Sequence, residues 1–239
     1  MIIHEQSILI AAKEGQKAGL NISEILRYWR DNGWEEEADS LFKLQDRKDV
    51  LRAIQQDEDG DAFRYASEEL KADREIVLAA IQKDGGLLEY ASEEFKADRD
   101  IVLAAIQQNG YALRHASEKL RADREFVLAA VQQDGFALRY ASDEFKADRD
   151  IVLAAVKKYG RSLVFAADEL KADRDIVLAA VQQDGRALES AADEFKADRD
   201  IVLAAVQQAG QALQYASEEL RSDREIVLAA FRQSNYVFR

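Results

Sequence analysis

Apolar positions recur along this chain with two nested periods. The shorter is helical. In the stretch Asp123 to Ala147, Val127 and Val131 lie four apart with Leu128 beside them, and Leu138, Ala141 and Phe145 lie three and four apart. Residues at such spacings share one face of an α-helix. The longer period is 25 residues. The phrase Asp-Arg-Glu/Asp-Ile-Val-Leu-Ala-Ala begins at Asp73, Asp98, Asp123, Asp148, Asp173, Asp198 and Asp223, with a rougher copy at Asp46. A fixed period of this size marks a stacked array rather than one globular core.

Each unit predicts a pair of helices. The first opens on an aspartate suited to cap a helix N-terminus, followed by an acid in the first turn, where the helix dipole favours negative charge. It closes on a glycine: Gly60, Gly85, Gly110, Gly135, Gly160, Gly185 or Gly210. Glycine just past a helix end predicts a left-handed backbone there. The second half, Phe136 to Ala147 in the same copy, reads as a second, short helix. The alternative is a break at Ser142, a good N-cap followed by two acids, which would leave a 3₁₀ turn and one helical turn. The chain has no proline, and neither half alternates with the period of a strand. The fold class expected is all-α: an α-solenoid of about seven 25-residue two-helix repeats with an N-terminal helical cap.

Neither helix pair can bury its apolar face alone, so the copies must stack. Val77, Val102, Val127, Val152, Val177, Val202 and Val227 would form one column, each side chain worth roughly 1.5–3 kcal/mol on burial. The alanines beside them let helices approach to about 8–9 Å, and seven units at that spacing would extend roughly 60–70 Å. A second column alternates Leu70, Phe95, Leu120, Phe145, Leu170, Phe195 and Leu220. That alternation of size makes a 50-residue pair the larger building block.

The expected organisation is a cap over residues 1–45, seven repeats over 46–222, and a final helix with a stub over 223–239. Within the cap, a helix from about Glu5 to Ala18 precedes a worn copy of the repeat over 21–45, and Trp29 and Trp34 are placed to cover the open core. The two extra residues near Glu58 and Asp59 belong to a turn. The last long helix is expected to end near Gln233, with Asn235 taking the glycine's left-handed place and Val237 and Phe238 starting the next element.

The repeating unit resembles the family known as domain of unknown function 4116, over about residues 46–234. The resemblance implies tandem short α-helical repeats, counted as 50-residue pairs. It implies no activity, cofactor or catalytic residue.

Composition narrows the function. The chain has no cysteine, so disulfides and thiolate metal sites are impossible. The N-terminus lacks the basic and apolar regions of a secretory signal, and no segment reaches 18 uninterrupted apolar residues. A cytoplasmic protein is expected, or one delivered from the cytoplasm without a classical signal peptide. The net charge of −13 biases against nucleic acid and anionic membrane.

Catalytic chemistry finds no footing. His4 stands near the terminus, and His115 fills a slot occupied elsewhere by Tyr65, Tyr90, Tyr140, Phe165, Ser190 and Tyr215. Neither has metal-ligand spacing. Paired acids such as Asp143 and Glu144 recur from unit to unit, Lys119 being the exception, a repetition an active site would not show. With Lys96, Lys146, Lys196, Arg99, Arg149 and Arg199 repeating alongside, they read as charge ladders rather than calcium or glycosidase sites. No catalytic, cofactor or metal residue is expected, and the chain is read as a non-enzyme.

In a repeat array the informative positions are those that do not repeat. Three vary here: the residues before, after, and four after the glycine. They gather Tyr111, Arg114, Phe136, Arg139, Tyr159, Arg161 and Arg186 onto one edge, and aromatics and arginines are what interfaces enrich. The function expected is a non-catalytic helical scaffold for protein–protein interaction, with a protein or peptide partner and a monomeric or weakly self-associating state. The alternative is a structural spacer or oligomerisation element that assembles through its ends. An RNA-reading helical repeat would need a basic groove, which the charge opposes.

Overall fold

A computed structural model of the chain describes residues 46–56 and 60–236. The cap expected over 1–45, the turn residues Glu58 and Asp59, and Val237 and Phe238 lie outside the described residues. The chain divides into two compact units, Met1–Gln108 and Asn109–Arg239. The described residues of each form an all-α solenoid stack of the same repeat.

Eight long helices are described: α1 (Arg47–Gln56), α2 (Arg74–Lys83), α3 (Arg99–Gln108), α4 (Arg124–Gln133), α5 (Arg149–Lys158), α6 (Arg174–Gln183), α7 (Arg199–Gln208) and α8 (Arg224–Tyr236). α1 to α3 belong to the first unit and α4 to α8 to the second. Each begins where the 25-residue phrase begins. The aspartate before α6 shows why. One oxygen of Asp173 accepts from the backbone N–H groups of Asp175 and Ile176 at 2.9 and 3.1 Å, satisfying two donors that a helix N-terminus leaves without an internal partner.

The second half of the repeat is not one helix. It is a six-residue 3₁₀ segment followed by a four-residue α-turn, as in Gly135–Tyr140 and Asp143–Lys146. The break comes at Ala141 and Ser142, both extended, with ψ of 157° and 160°. The Ser142 alternative is therefore the arrangement observed, although its hydroxyl makes no capping bond. Ala167 and Ala192 hold the same place in later repeats without a hydroxyl. At this position it is the backbone that joins the repeats. The Ala167 N–H donates to Lys146 O at 2.8 Å, and the Ser217 N–H to Lys196 O at 2.8 Å.

Within each unit, long helices pack on long helices and 3₁₀ segments on 3₁₀ segments. Val77 and Val102 in the first unit, and Val127, Val152, Val177 and Val202 in the second, are fully buried. Leu138, Leu163 and Leu188 line the other side of the second unit's core, also fully buried. On α8 the same face is open: Val227 is 37% exposed and Phe231 65%.

The glycines do not have the conformation their position predicts. Among the described residues only Gly60 has a positive φ, at 73°. The long helices leave instead through an extended residue, such as Asp134 with φ −141° and ψ 114°. The glycine serves a different need. A Cβ on Gly135 would lie well inside contact distance of the Ala155 carbonyl oxygen near the end of α5, and 2.7 Å from the Ser162 hydroxyl. Gly110, Gly160 and Gly185 meet Ala130, Ala180 and Ala205 in the same way. Two repeats approach there backbone to backbone, and a side chain would hold them apart. The left-handed Asn235 is likewise not observed, because α8 continues helical through Tyr236 and no non-glycine residue among those described has a positive φ.

Two further links cross between repeats. The Gln183 side chain accepts from the Gly160 N–H and donates to Lys158 O at 3.2 Å. Gln233 does the same to Gly210 and Gln208, at 3.0 and 2.9 Å. These amides satisfy groups at the ends of α5 and α7 that the helices themselves leave open. At the other end of the helices Arg47, Arg74, Arg124, Arg149, Arg174 and Arg199 reach forward by one repeat. Arg149 binds Asp173 at 3.1 Å and Asp175 at 3.0 Å. Arg74 with Asp98, Arg124 with Asp148 and Asp150, and Arg174 with Asp198 follow the same plan. The N-capping carboxylate thus serves its own helix with one oxygen and the preceding repeat with the other.

Two outcomes follow for stability. Gly135→Ala should destabilise the second unit by about 1–3 kcal/mol, the usual cost of overpacking. Gly86→Ala should be nearly neutral, because its Cβ would meet only the flexible Asp84 carboxylate at 3.2 Å. Chemical denaturation of both variants checks the pair, and equal losses would refute the close-approach account. Ser162 is fully buried, and its hydroxyl has no hydrogen-bond partner. Alanine stands at the matching Ala137, Ala187 and Ala212. Ser162→Ala should raise stability by about 1 kcal/mol, visible as a later denaturation midpoint with an unchanged slope.

Candidate interaction edge

The two ends of the long helices face different chemistry. Along the N-terminal ends, acid and base repeat and satisfy each other. The short helices add Lys96–Glu93, Lys146–Asp143, Lys171–Asp168 and Lys196–Asp193 at 2.9–3.1 Å. Burial alone would push the Asp173 carboxyl up, but its bonds to the Ile176 N–H and the Arg149 guanidinium outweigh this and hold it below the usual carboxylate range.

Along the C-terminal ends run the 3₁₀ segments and the positions that do not repeat. The residue before the glycine normally works as a cap. Asp134 accepts from the Phe136 N–H at 2.9 Å, Asn109 from the Tyr111 N–H at 3.0 Å, and Asp184 from the Arg186 N–H at 3.0 Å. Tyr159 occupies this place before Gly160 and makes no such bond. The capping contribution it gives up is worth about 0.5–2 kcal/mol. In exchange the chain presents an aromatic ring that is 42% exposed.

The second unit brings the sequence-predicted aromatics together. Phe136 stacks on Tyr159 with ring centroids 5.5 Å apart and planes 14° from parallel. Phe136 also meets Phe165 edge-on at 6.1 Å, and Tyr111 meets Tyr140 edge-on at 6.0 Å. Arg114 and Arg139 each lie 5.9 Å from the Tyr140 ring centre, within cation–π range. Burial pushes the Tyr111 hydroxyl up, and so do the neighbouring Asp134, Tyr140 and Tyr159. Tyr111 is thus a neutral group throughout the neutral pH range.

Arg161 is exposed beside a groove of about 560 Å³ lined by Phe136, Val164, Phe165, Arg186 and Glu189. Arg186 differs from the expectation. Its guanidinium is turned back onto Asp184, with contacts of 2.8 and 3.0 Å, so the turn already occupies it. Burial opposes the Asp184 charge, but Arg186 and its N–H keep that carboxyl below the usual range.

Three contributors were missed. Tyr140 and Phe165 belong to a slot that reads as structural, yet both are only half-buried and carry the ring contacts. Val164 is 48% exposed. It is the one apolar residue in a column of Arg64, Glu89, Arg114, Arg139, Glu189 and Gln214, and that contrast was the signal available.

Among the described residues no group of three or more His, Asp or Glu side chains is placed to hold a metal ion, and no helix is long and apolar enough to cross a membrane. The family model described as Domain of unknown function (DUF4116) matches residues 46–96, 73–121, 98–146, 123–171, 148–196, 173–215 and 198–239. The chain belongs to the DUF4116 family. Each DUF4116 match opens on the helix-capping aspartate, and most span two of the 25-residue repeats. No curated protein and no solved structure matches the chain.

Proposed function

We propose that this DUF4116 protein is a non-catalytic repeat scaffold that holds a protein or peptide partner along the edge formed by its 3₁₀ segments. One observation carries the reading. Among the described residues, exposed large apolar side chains occur in two places only: Tyr159 and Val164 on this edge, and Val227, Leu228 and Phe231 on α8. The first pair stands where the repeat departs from its own pattern. The aromatic gives up the cap's hydrogen bond, and even stacked on Phe136 it remains 42% exposed. Rings and arginines gathered at such a place match the chemistry of interaction hot spots.

The test is Tyr111→Ala, Phe136→Ala and Tyr159→Ala combined. The wild-type chain first captures a partner, and the purified partner is then titrated against both proteins. Affinity should fall at least about tenfold, as expected when hot-spot side chains are removed, with far-UV circular dichroism unchanged. Equal affinity with intact helicity removes this edge from consideration.

A second reading is favoured by the open face of α8, where Val227, Leu228 and Phe231 remain exposed. It is the face that α7 buries through Val202 and Val206. This reading makes the protein a spacer that self-associates through α8. Light scattering over a hundredfold concentration range decides it. A mass that rises with concentration, and returns to one chain in Phe231→Asp, supports self-association. A constant single-chain mass rejects it.

A further inference from the structure

We infer that the edge of the second unit recognises an acidic peptide segment carrying an apolar side chain. The inference rests on the scaffold reading and adds the chemistry of the partner. Its starting point is a local reversal of charge. The chain as a whole carries a net charge of −13. Elsewhere in this unit the arginines that open α4 to α7 are committed: Arg124, Arg149, Arg174 and Arg199 each reach carboxylates of the following repeat. On the edge, Arg114 and Arg139 lie against the Tyr140 ring, and Arg161 is exposed, favouring the charge of Asp184 at a distance without an ion pair. Lys157 and Lys158, at the end of α5, stand where α4, α6 and α7 carry two glutamines. They too are exposed and make no side-chain ion pair. The acids nearby are fewer, and Asp184 is already bound to Arg186. An acidic chain that leaves five cations without carboxylates beside exposed rings is complementary to a partner of negative charge.

The pattern of side chains adds an apolar requirement. In the segments after Gly110 and Gly135 the ring follows the glycine and the arginine comes three residues later, as Tyr111 and Arg114, then Phe136 and Arg139. After Gly160 the order inverts: Arg161 follows the glycine, and Val164 comes three later. The line of cations therefore crosses from one row to the other. At the crossing lies the groove floored by Phe136, Val164 and Phe165, with Arg161 on its rim. An apolar side chain fits that floor, flanked by carboxylates that meet Arg139 and Arg161. Stacked helices recur about every 8–10 Å and an extended chain advances about 3.3 Å per residue, so acids roughly three residues apart would meet successive repeats. Nucleic acid fits less well, because Asp134, Asp184 and Glu189 stand among the cations and would repel a continuous phosphate backbone.

The experiment uses the full chain and labelled probes read by fluorescence anisotropy. The probes are a 12-residue peptide with glutamate at every third position and one central leucine, a counterpart with lysine for glutamate, a counterpart with serine for leucine, and a 12-nucleotide single-stranded DNA. The first peptide should bind at least about tenfold more tightly than the other three, and its affinity should weaken as salt is raised. Arg139→Glu with Arg161→Glu should abolish the preference. Lys146→Glu with Lys196→Glu, which changes the net charge equally on the short helices, should leave it intact. Tighter binding of the lysine peptide or of the DNA, indifference to the arginine pair, or no binding of the acidic peptide overturns the inference. If the acidic peptide fails while the triple-alanine variant still loses its captured partner, the scaffold reading stands and only the partner's chemistry is wrong. If the triple-alanine variant keeps that partner, the scaffold reading itself falls.

Discussion

Everything in this fold depends on how closely one repeat's backbone approaches the next. At Gly110, Gly135, Gly160 and Gly185, a carbonyl oxygen from the following long helix sits where a Cβ would have to be. That contact brings the long helices near enough for Val127, Val152, Val177 and Val202 to disappear into a common interior, where each contributes roughly 1.5–3 kcal/mol. It also brings the helix ends within reach of the Gln183 and Gln233 amides. Close approach and polar satisfaction are thus one arrangement. A bulkier residue would open the stack and leave the same helix-end groups without partners.

The stack then divides its surface between two tasks. At the N-terminal ends of the long helices, each aspartate caps its own helix and receives an arginine from the repeat before. Exposed ion pairs of this kind are worth little singly, about 0–1 kcal/mol, but they fix the register of neighbouring repeats. At the C-terminal ends the 3₁₀ segments carry the variable positions. A ten-residue helix separates the two edges by about 15 Å, so changes at one scarcely disturb the other. The scaffold can vary Tyr111, Phe136 and Arg161 while Asp148, Arg149 and Asp173 continue to hold the repeats in line. Membership of DUF4116 describes the repeated frame, and the individuality of this chain lies in the residues that interrupt it.

How much of the edge was legible follows from the same division. Tyr111, Phe136 and Tyr159 announced themselves as departures from a repeated pattern; Phe136 and Tyr159 stack on each other, while Tyr111 meets Tyr140. Arg186 looked equally available, but a carboxylate two residues earlier folds back on it, and sequence spacing alone cannot tell a bonded side chain from an open one. Tyr140 and Phe165 stayed hidden because a half-buried ring serves core and surface at once. Val164 was visible only as an apolar residue in a polar column.

Read by itself, the sequence determined the all-α class, the 25-residue repeat, the buried columns and the capping aspartates. Those follow from local periodicity and from donors that every helix start must satisfy. The tertiary structure decided why the glycines are glycines, and where the second half of the repeat breaks into a 3₁₀ segment and an α-turn. It also decided which arginines have partners. Apart from the local Arg186–Asp184 pair, these depend on atoms some 20 to 26 residues away in sequence but in contact in space, and the approach of a neighbouring backbone leaves no mark on the residue that yields to it except the absence of a side chain.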